Sequence, residues 1–226
     1  RAMGEVDGIR RVRFTTSHPR DFVKEIIDAI DENPVLCNHV HLPVQSGSST
    51  ILEKMQRLYT RDEYMRRIEW MKRARRNISI TTDIIVGFPG ETEDDFQQTL
   101  DLLEEVEYDS LFGFKYSKRP NTSALVLNHH LDEDEKVRRL AILQEKQRAI
   151  QIRRNGELVG SIEETMVEGY NKATGQWIGR TSQNRTLNFT HAAFPNPEAK
   201  PDFNGKYLPV RVTRAGPNSL AGEAVQ

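Results

Sequence analysis

The chain has 226 residues, with 32 Lys and Arg against 33 Asp and Glu and a hydrophobic fraction of 37%. That length suits one large domain or two smaller ones, and the near-balance of charge points to no particular partner. No apolar run reaches the ~18–20 residues that cross a bilayer, "RAMGEVDGIRR" lacks the apolar stretch of a signal peptide, and the single cysteine, Cys37, excludes an internal disulfide and any cluster or zinc site built from several thiolates of this chain. A reducing, cytoplasmic setting fits that cysteine usage.

The first half alternates short apolar strands with amphipathic helices. "RVRFTTS" (11–17) reads as a strand and is followed by "DFVKEIIDAIDE", whose Phe22, Ile26, Ile27 and Ile30 share one helical face. "NHVHLPV" (38–44) is the next strand, followed by the helical patterns "STILEKMQRL" and "RDEYMRRIEWMKRARR". A third strand, "SITTDIIVGF" (79–88), leads into "TEDDFQQTLDLLEEV", with Phe96, Leu100, Leu103 and Val106 on one face and Thr92 and Asp95 spaced as a capping box. "DSLFGFKYS" (109–117) completes a parallel sheet of about four strands, because strand–helix–strand order with connections this long implies right-handed βαβ units. The exposed edge of that sheet is "RVRFTTS", whose Arg11 and Arg13 blunt it against pairing with other chains.

A long helix follows in "DEDEKVRRLAILQEKQRAIQIRR" (132–154), opening with Asp132 and Glu135 at capping-box spacing. From Leu158 onward the pattern is short β-branched runs broken by Gly, Pro and Asn: "SIEETMVEGY", "QWIGRTS", "RTLNFTHA", "YLPVRVTRA" and "SLAGEAV". These predict a small antiparallel, OB-like barrel of about five strands, with "FPNPEAKPDFNG" (194–205) as its longest loop. The chain thus divides into 1–130, a connecting helix over 131–157, and a barrel over 158–226.

In parallel α/β sheets ligands gather at the carboxyl ends of the strands. Here those ends carry Thr15-Thr16-Ser17-His18, then Gln45-Ser46-Gly47-Ser48, then Asp83 through Glu91, then Tyr116-Ser117-Lys118-Arg119. "TTDIIVGFPGETEDDF" (81–96) opens like a phosphate site, a strand and glycine turn before a helix. Its Glu91, Glu93, Asp94 and Asp95 would repel a phosphate, and no G-x-x-x-x-G-K-[ST] run exists. Hydroxyls, an amide and one arginine suit instead a ligand with an amino-acid end and a flat ring.

Each feature also has a purely structural reading. Gly87 and Gly90 suit a tight turn, and the Ser46–Thr50 cluster suits a helix cap. His18 before Pro19 suits a turn. His39 and His41 share one strand face but lack a third metal ligand, Cys37 lies outside any reactive dyad, and the seven Lys and Arg between 61 and 76 suit a solvated helix face.

"RFTTSHP", "HLPVQSGS", "TDIIVGFPGET" and "YSKRPNTSA" stand in the order and spacing of the radical S-adenosylmethionine methylthiotransferases, and "GRTSQNRTLNF" resembles the TRAM RNA-binding domain that ends them. The resemblance runs over about residues 8–225 and is nearest to the branch that adds a 2-methylthio group to N6-isopentenyladenosine beside the tRNA anticodon. It implies a partial TIM-like (βα) barrel followed by TRAM. It also implies an S-adenosylmethionine ligand, a cation with no phosphate to repel, held near Thr16, Ser17, Gln45, Ser46, Thr82, Asp83, Gly87 and Arg119. The family's "YSxRPGT" has Asn121 here in place of its glycine, a residue that tolerates left-handed backbone.

The family uses two [4Fe-4S] clusters, and their cysteine ligands are not in this sequence. The resemblance therefore marks the chain as the carboxyl-terminal part of such an enzyme, inactive by itself, with no metal site of its own, no membrane partner and an unknown sulfur donor. Its partner is tRNA, through the anticodon stem-loop. Residues 169–226 hold seven Lys and Arg against three acids (Glu198, Asp202, Glu223), with Tyr170, Trp177, Phe189 and Tyr207 interleaved. Arg180, Asn184, Arg185, Lys206, Arg211 and Arg214 are the candidate RNA contacts. The alternatives are a non-catalytic RNA-binding module, a methylthiotransferase acting on threonylcarbamoyl-adenosine or ribosomal protein, and an unrelated aldolase- or hydrolase-like enzyme. The last lacks the paired acid and base it would need.

Overall fold

The structure is a computed structural model and describes residues 1–15, 18–194 and 203–225. Thr16, Ser17 and the central part of the 194–205 loop lie outside the described residues. The first half builds α1 (Lys24–Glu32), β1 (His39–His41), α2 (Ser49–Lys54), α3 (Arg61–Lys72), β2 (Ser79–Val86), α4 (Glu93–Val106) and β3 (Ser110–Lys115). β1, β2 and β3 pair in parallel and in chain order. Their outer face packs on the helices through Ile30, Leu42, Ile68, Ile84 and Leu103, all essentially fully buried. Each such side chain contributes about 1.5–3 kcal/mol.

Among the described residues the sheet has three strands, where the sequence reading expected about four. Over 11–15 the only pairing is an isolated parallel bridge from Val12 to Leu36, because the neighbouring Arg11 turns away to the barrel, donating from Nη1 to the Arg180 carbonyl at 2.7 Å. β1 is also shorter than the sequence pattern suggests. Pro43 has no N–H to offer the ladder, and pairing with β2 resumes only at a bridge between Gln45 and Ile84.

Helix starts follow the sequence closely. Ser48 caps α2 by accepting from the Ile51 N–H, and Thr92 and Asp95 form a reciprocal capping box on α4. Gly47 lies between the two, where a Cβ would sit 2.5 Å from the Gln98 carbonyl oxygen, so backbone approach demands glycine there. α5 (Glu133–Gly156) is capped by the Asp132 side chain alone. Glu135 does not complete a capping box; it binds Arg138 and Arg139 instead. Asn121 takes φ 62°, the left-handed conformation its side chain tolerates.

The second half is a closed five-stranded barrel of β4 (Ile162–Asn171), β5 (Gln176–Thr181), β6 (Thr186–Thr190), β7 (Tyr207–Ala215) and β8 (Leu220–Ala224). Closure makes one pair, β6 with β8, parallel, where the sequence reading expected antiparallel pairing throughout. Val167, Trp177, Leu187, Phe189, Val210 and Leu220 fill the barrel. No helix among the described residues is long and apolar enough to cross a membrane.

Candidate functional site

Strand alternation sorts the rim residues. On β2, Thr82, Ile84 and Val86 are buried, while Asp83 and Ile85 are only partly so. The opposite, open face of the sheet carries Thr81, Asp83 and Ile85 from β2 and Phe112 and Phe114 from β3, the two phenylalanines 59% and 51% exposed. Phenylalanines this exposed on a sheet face are unusual for core residues.

At the carboxyl ends of the strands this face opens into a cavity of about 650 Å³. Gln45, Asp83 and Arg119 line it together, with Ile85, Phe88 and Phe114 as an apolar wall. Gln45 is held there by φ 73° and by backbone bonds to both sides, its N–H to the Asp83 carbonyl and its carbonyl to the Ile85 N–H, each 2.9 Å. Asp83 is the one carboxylate among the described lining residues, facing Lys54, Arg57, Lys115 and Arg119. Lys54 already donates to the Gly90 carbonyl at 3.0 Å, and Lys115 is paired with Glu133. The Tyr116 hydroxyl, also on the lining, is buried without a hydrogen-bond partner.

Three other predicted residues stand behind the cavity. Ser46 is fully buried and accepts from the Ser48 N–H at 3.2 Å. The Thr82 hydroxyl accepts from the Val44 N–H and donates to the Leu42 carbonyl, both at 2.9 Å, on the helix-facing side. Gly87 has φ +72°, and its N–H donates to Glu91 Oε2 at 2.7 Å. All three shape the site from outside it.

Besides the expected Thr92–Asp95 capping box, the acidic helix start has partners that the sequence reading missed. Arg139 of α5 is 5% exposed and reaches Glu91, itself 1% exposed, at 2.8 Å. Arg138 and Arg139 share Glu93, and Asp95 joins Ser48 at 2.5 Å to Thr92 at 2.7 Å. Burial raises the Glu91 pKa against the hydrogen bonds from Arg139 and Gly87. For Asp95 burial acts the same way but is outweighed by bonds from Ser48 and Thr92, so its pKa falls. Glu91 and Glu93 thus anchor α5 to the glycine turn.

A second cleft, of about 530 Å³, lies between the amino-terminal part of the sheet and the barrel. It gathers Arg180, Asn184 and Arg185 with His39, His41 and Asp109. Arg185 is no free cation: its guanidinium bonds to Asp109 and to the Asn155 side-chain oxygen, and its side chain is 9% exposed. Arg180 pairs with Glu168 at 2.9 Å. The β5–β6 turn adds bonds to the core from the Gln183 amide to the Asn77 carbonyl and from the Asn38 N–H to the Ser182 hydroxyl, each 3.0 Å. Lys206, Arg211 and Arg214 are exposed on the barrel, away from this cleft, with no ion-pair partner among the described residues. A β-bulge between Val212 and Arg214 turns both Thr213 and Arg214 outward.

Of the residues given a structural reading, His18 is a turn residue whose Nδ1 accepts from the Arg20 N–H, and Cys37 is buried with its thiol pKa pushed up by burial. His39 and His41 bracket the Thr81 hydroxyl, each at 3.0 Å, and no metal-binding group of three ligands exists among the described residues.

Residues 1–103 match the Radical SAM superfamily and residues 156–225 match the TRAM domain. The chain is 66% identical to the tRNA-2-methylthio-N(6)-dimethylallyladenosine synthase of Solibacter usitatus over 98% of its own length and 49% of that protein. It is 57% identical to the protein of that name from Koribacter versatilis over 99% of this chain and 50% of that one. For the one from Geotalea uraniireducens the figures are 47%, 99% and 49%. The chain therefore spans about half the length of the curated relatives it matches. Among solved structures, coproporphyrinogen III oxidase from Escherichia coli, described as a radical SAM enzyme, aligns with TM-score 0.50 and 18% identity, over 60% of this chain and 32% of that one. At that identity the likeness speaks to fold alone.

Proposed function

We propose, from the Radical SAM and TRAM matches and the likeness to these relatives, that the protein carrying this chain is a radical SAM methylthiotransferase that adds a methylthio group to N6-dimethylallyladenosine in the anticodon stem-loop of tRNA. The observation that carries the reading is the convergence of Gln45, Asp83 and Arg119 on one strand-end cavity.

The residues present fit S-adenosylmethionine. Asp83 offers a carboxylate to a cationic ligand, the buried Tyr116 hydroxyl lacks a partner, and Phe88, Phe114 and Ile85 offer an apolar wall to a ring. When bound, this cofactor supplies the carbon–sulfur bond whose cleavage starts the chemistry of the superfamily. Gln45 orients the ligand's polar end, Asp83 balances its charge, and Arg119 at the rim meets a carboxylate or the incoming RNA.

Iron–sulfur clusters do not fit the residues of this chain. Such sites take three or four thiolates, whereas Cys37 is the one cysteine and is 1% exposed. The chain alone is accordingly read as inactive, with its part of the work being ligand positioning and RNA binding.

The test is the nucleoside content of tRNA from cells lacking the protein. The expected result is accumulation of N6-dimethylallyladenosine with loss of its 2-methylthio derivative, restored by the intact gene and not by an Asp83→Ala version. Unchanged nucleosides in the deletion strain would overturn the reading.

A further inference from the structure

The open face of the sheet carries a line of polar groups that leads to Asp83, and its other members have no role given so far. His39 Nε2 lies 3.0 Å from the Thr81 hydroxyl oxygen, which lies 3.0 Å from His41 Nδ1. His41 Nε2 in turn lies 3.5 Å from Asp83 Oδ1. The line runs from the cleft beside the barrel, which His39 and Thr81 line, to the cavity that Asp83 lines.

We propose that His41 is the positioning residue for the Asp83 carboxylate, set in one tautomer by Thr81 and His39. This rests on the reading of the strand-end cavity as the site of a cationic adenosyl ligand. The donor order follows from what each group can do. A carboxylate only accepts, so His41 Nε2 must carry a proton toward Asp83. Nδ1 then accepts from the Thr81 hydroxyl, and the Thr81 oxygen accepts from His39 Nε2–H.

The reverse order would aim a lone pair of His41 at the carboxylate. His39 suits its end of the line: burial, with Arg13 next, pushes its pKa down to about 4, so it is neutral and holds a single N–H. Its other nitrogen, Nδ1, is buried with no partner. Phe112 closes over His41 edge-on, with ring centroids 6.3 Å apart, and limits ring rotation. The 3.5 Å separation is long for a hydrogen bond, so the His41 to Asp83 contact is the adjustable end of the line. Oδ1 is thereby turned toward His41, which leaves Oδ2 for the ligand.

Two measurements test this. Long-range ¹⁵N correlation spectra of the chain labelled at histidine should show His41 and His39 both as Nε2–H tautomers at neutral pH. Calorimetric binding of S-adenosylmethionine to the longer protein should weaken about tenfold in His41→Phe, the size expected for a hydrogen bond to a charged group. Binding should recover in His41→Gln, whose amide can donate in the same direction, and His41→Phe should add nothing on an Asp83→Asn background.

A His41 found as the Nδ1–H tautomer or as the doubly protonated ring would overturn the proposal. So would equal losses from His41→Phe with and without Asp83. The predicted tautomers in a protein that binds no S-adenosylmethionine would support the positioning geometry and overturn the cofactor reading instead.

Discussion

Arg185 of the barrel and Asp109 of the core form an ion pair across the domain boundary, with side chains 9% and 3% exposed. Asp109 accepts on its other oxygen from the Ile80 N–H at 2.7 Å, and Arg154 of α5 approaches it at 3.3 Å. One carboxylate thus ties the start of β3 to β2, to α5 and to the barrel. A residue that resembles an RNA contact in sequence serves here as a structural lock.

Removing either partner should be costly, but unequally so. Asp109→Ala leaves the buried Arg185 guanidinium without a carboxylate, whereas Arg154 keeps Glu157 at 3.0 Å, and should destabilise the chain by about 3–5 kcal/mol. Arg185→Ala leaves Asp109 with Arg154 and the Ile80 N–H, so its cost should be clearly smaller. Urea unfolding followed by Trp177 in the barrel and Trp70 in the core reads both. Equal costs for the two variants would refute this account of the lock.

Acid should unfold the chain partly through Glu135. Hydrogen bonds from Arg138, and next from Arg139, hold its pKa at about 2 against an ordinary 4.5. A folded-state pKa below the unfolded one contributes stability that is present above pH 4.5 and is lost as pH falls toward 2. Glu91 works in the opposite sense: burial raises its pKa above 4.5, so its contribution is fully present below pH 4.5 and declines as pH rises above that value. The urea midpoint should therefore fall less steeply below pH 4.5 in Glu135→Gln than in the unaltered chain. Parallel midpoint curves for the two proteins would argue against this role for Glu135.

RNA binding should depend on the exposed barrel cations that lack an ion-pair partner among the described residues more than on the locked one. Replacing Lys206, Arg211 and Arg214 together by Ala should weaken binding of an anticodon stem-loop and reduce its salt slope, by about 0.7 for each phosphate no longer neutralised on single-stranded RNA. Arg185→Ala, compared at equal folded fraction, should leave that slope unchanged, because its guanidinium already has Asp109 and Asn155. A slope lowered by Arg185→Ala and untouched by the triple change would reverse the assignment.

Much of the fold is local and can be read in the chain. Thr92 and Asp95 announce the start of α4, Asp132 that of α5, and Pro43 limits β1, because each acts on backbone within a few residues of itself. The five runs after Leu158 became the five barrel strands, since short β-branched runs favour strands and the Gly, Pro and Asn between them favour turns. Strand alternation separates Asp83 from Thr82, but it cannot say which of the two faces a ligand. That choice was made by Tyr64 of α3 and by Tyr108 in the link between α4 and β3, which pack on the Thr82 side, and by the open face left to Asp83.

The partners of charged residues were decided only by tertiary structure. Arg185 and Asp109 are 76 positions apart, and Arg139 and Glu91 are 48 apart. Nothing near either arginine distinguishes it from one that meets solvent or phosphate, because an ion pair at such separation exists only once the backbone has brought both ends together. The "RVRFTTS" segment marks the same limit: its residues favour a strand, but a strand needs a neighbour, and Arg11 found its partners on the barrel instead.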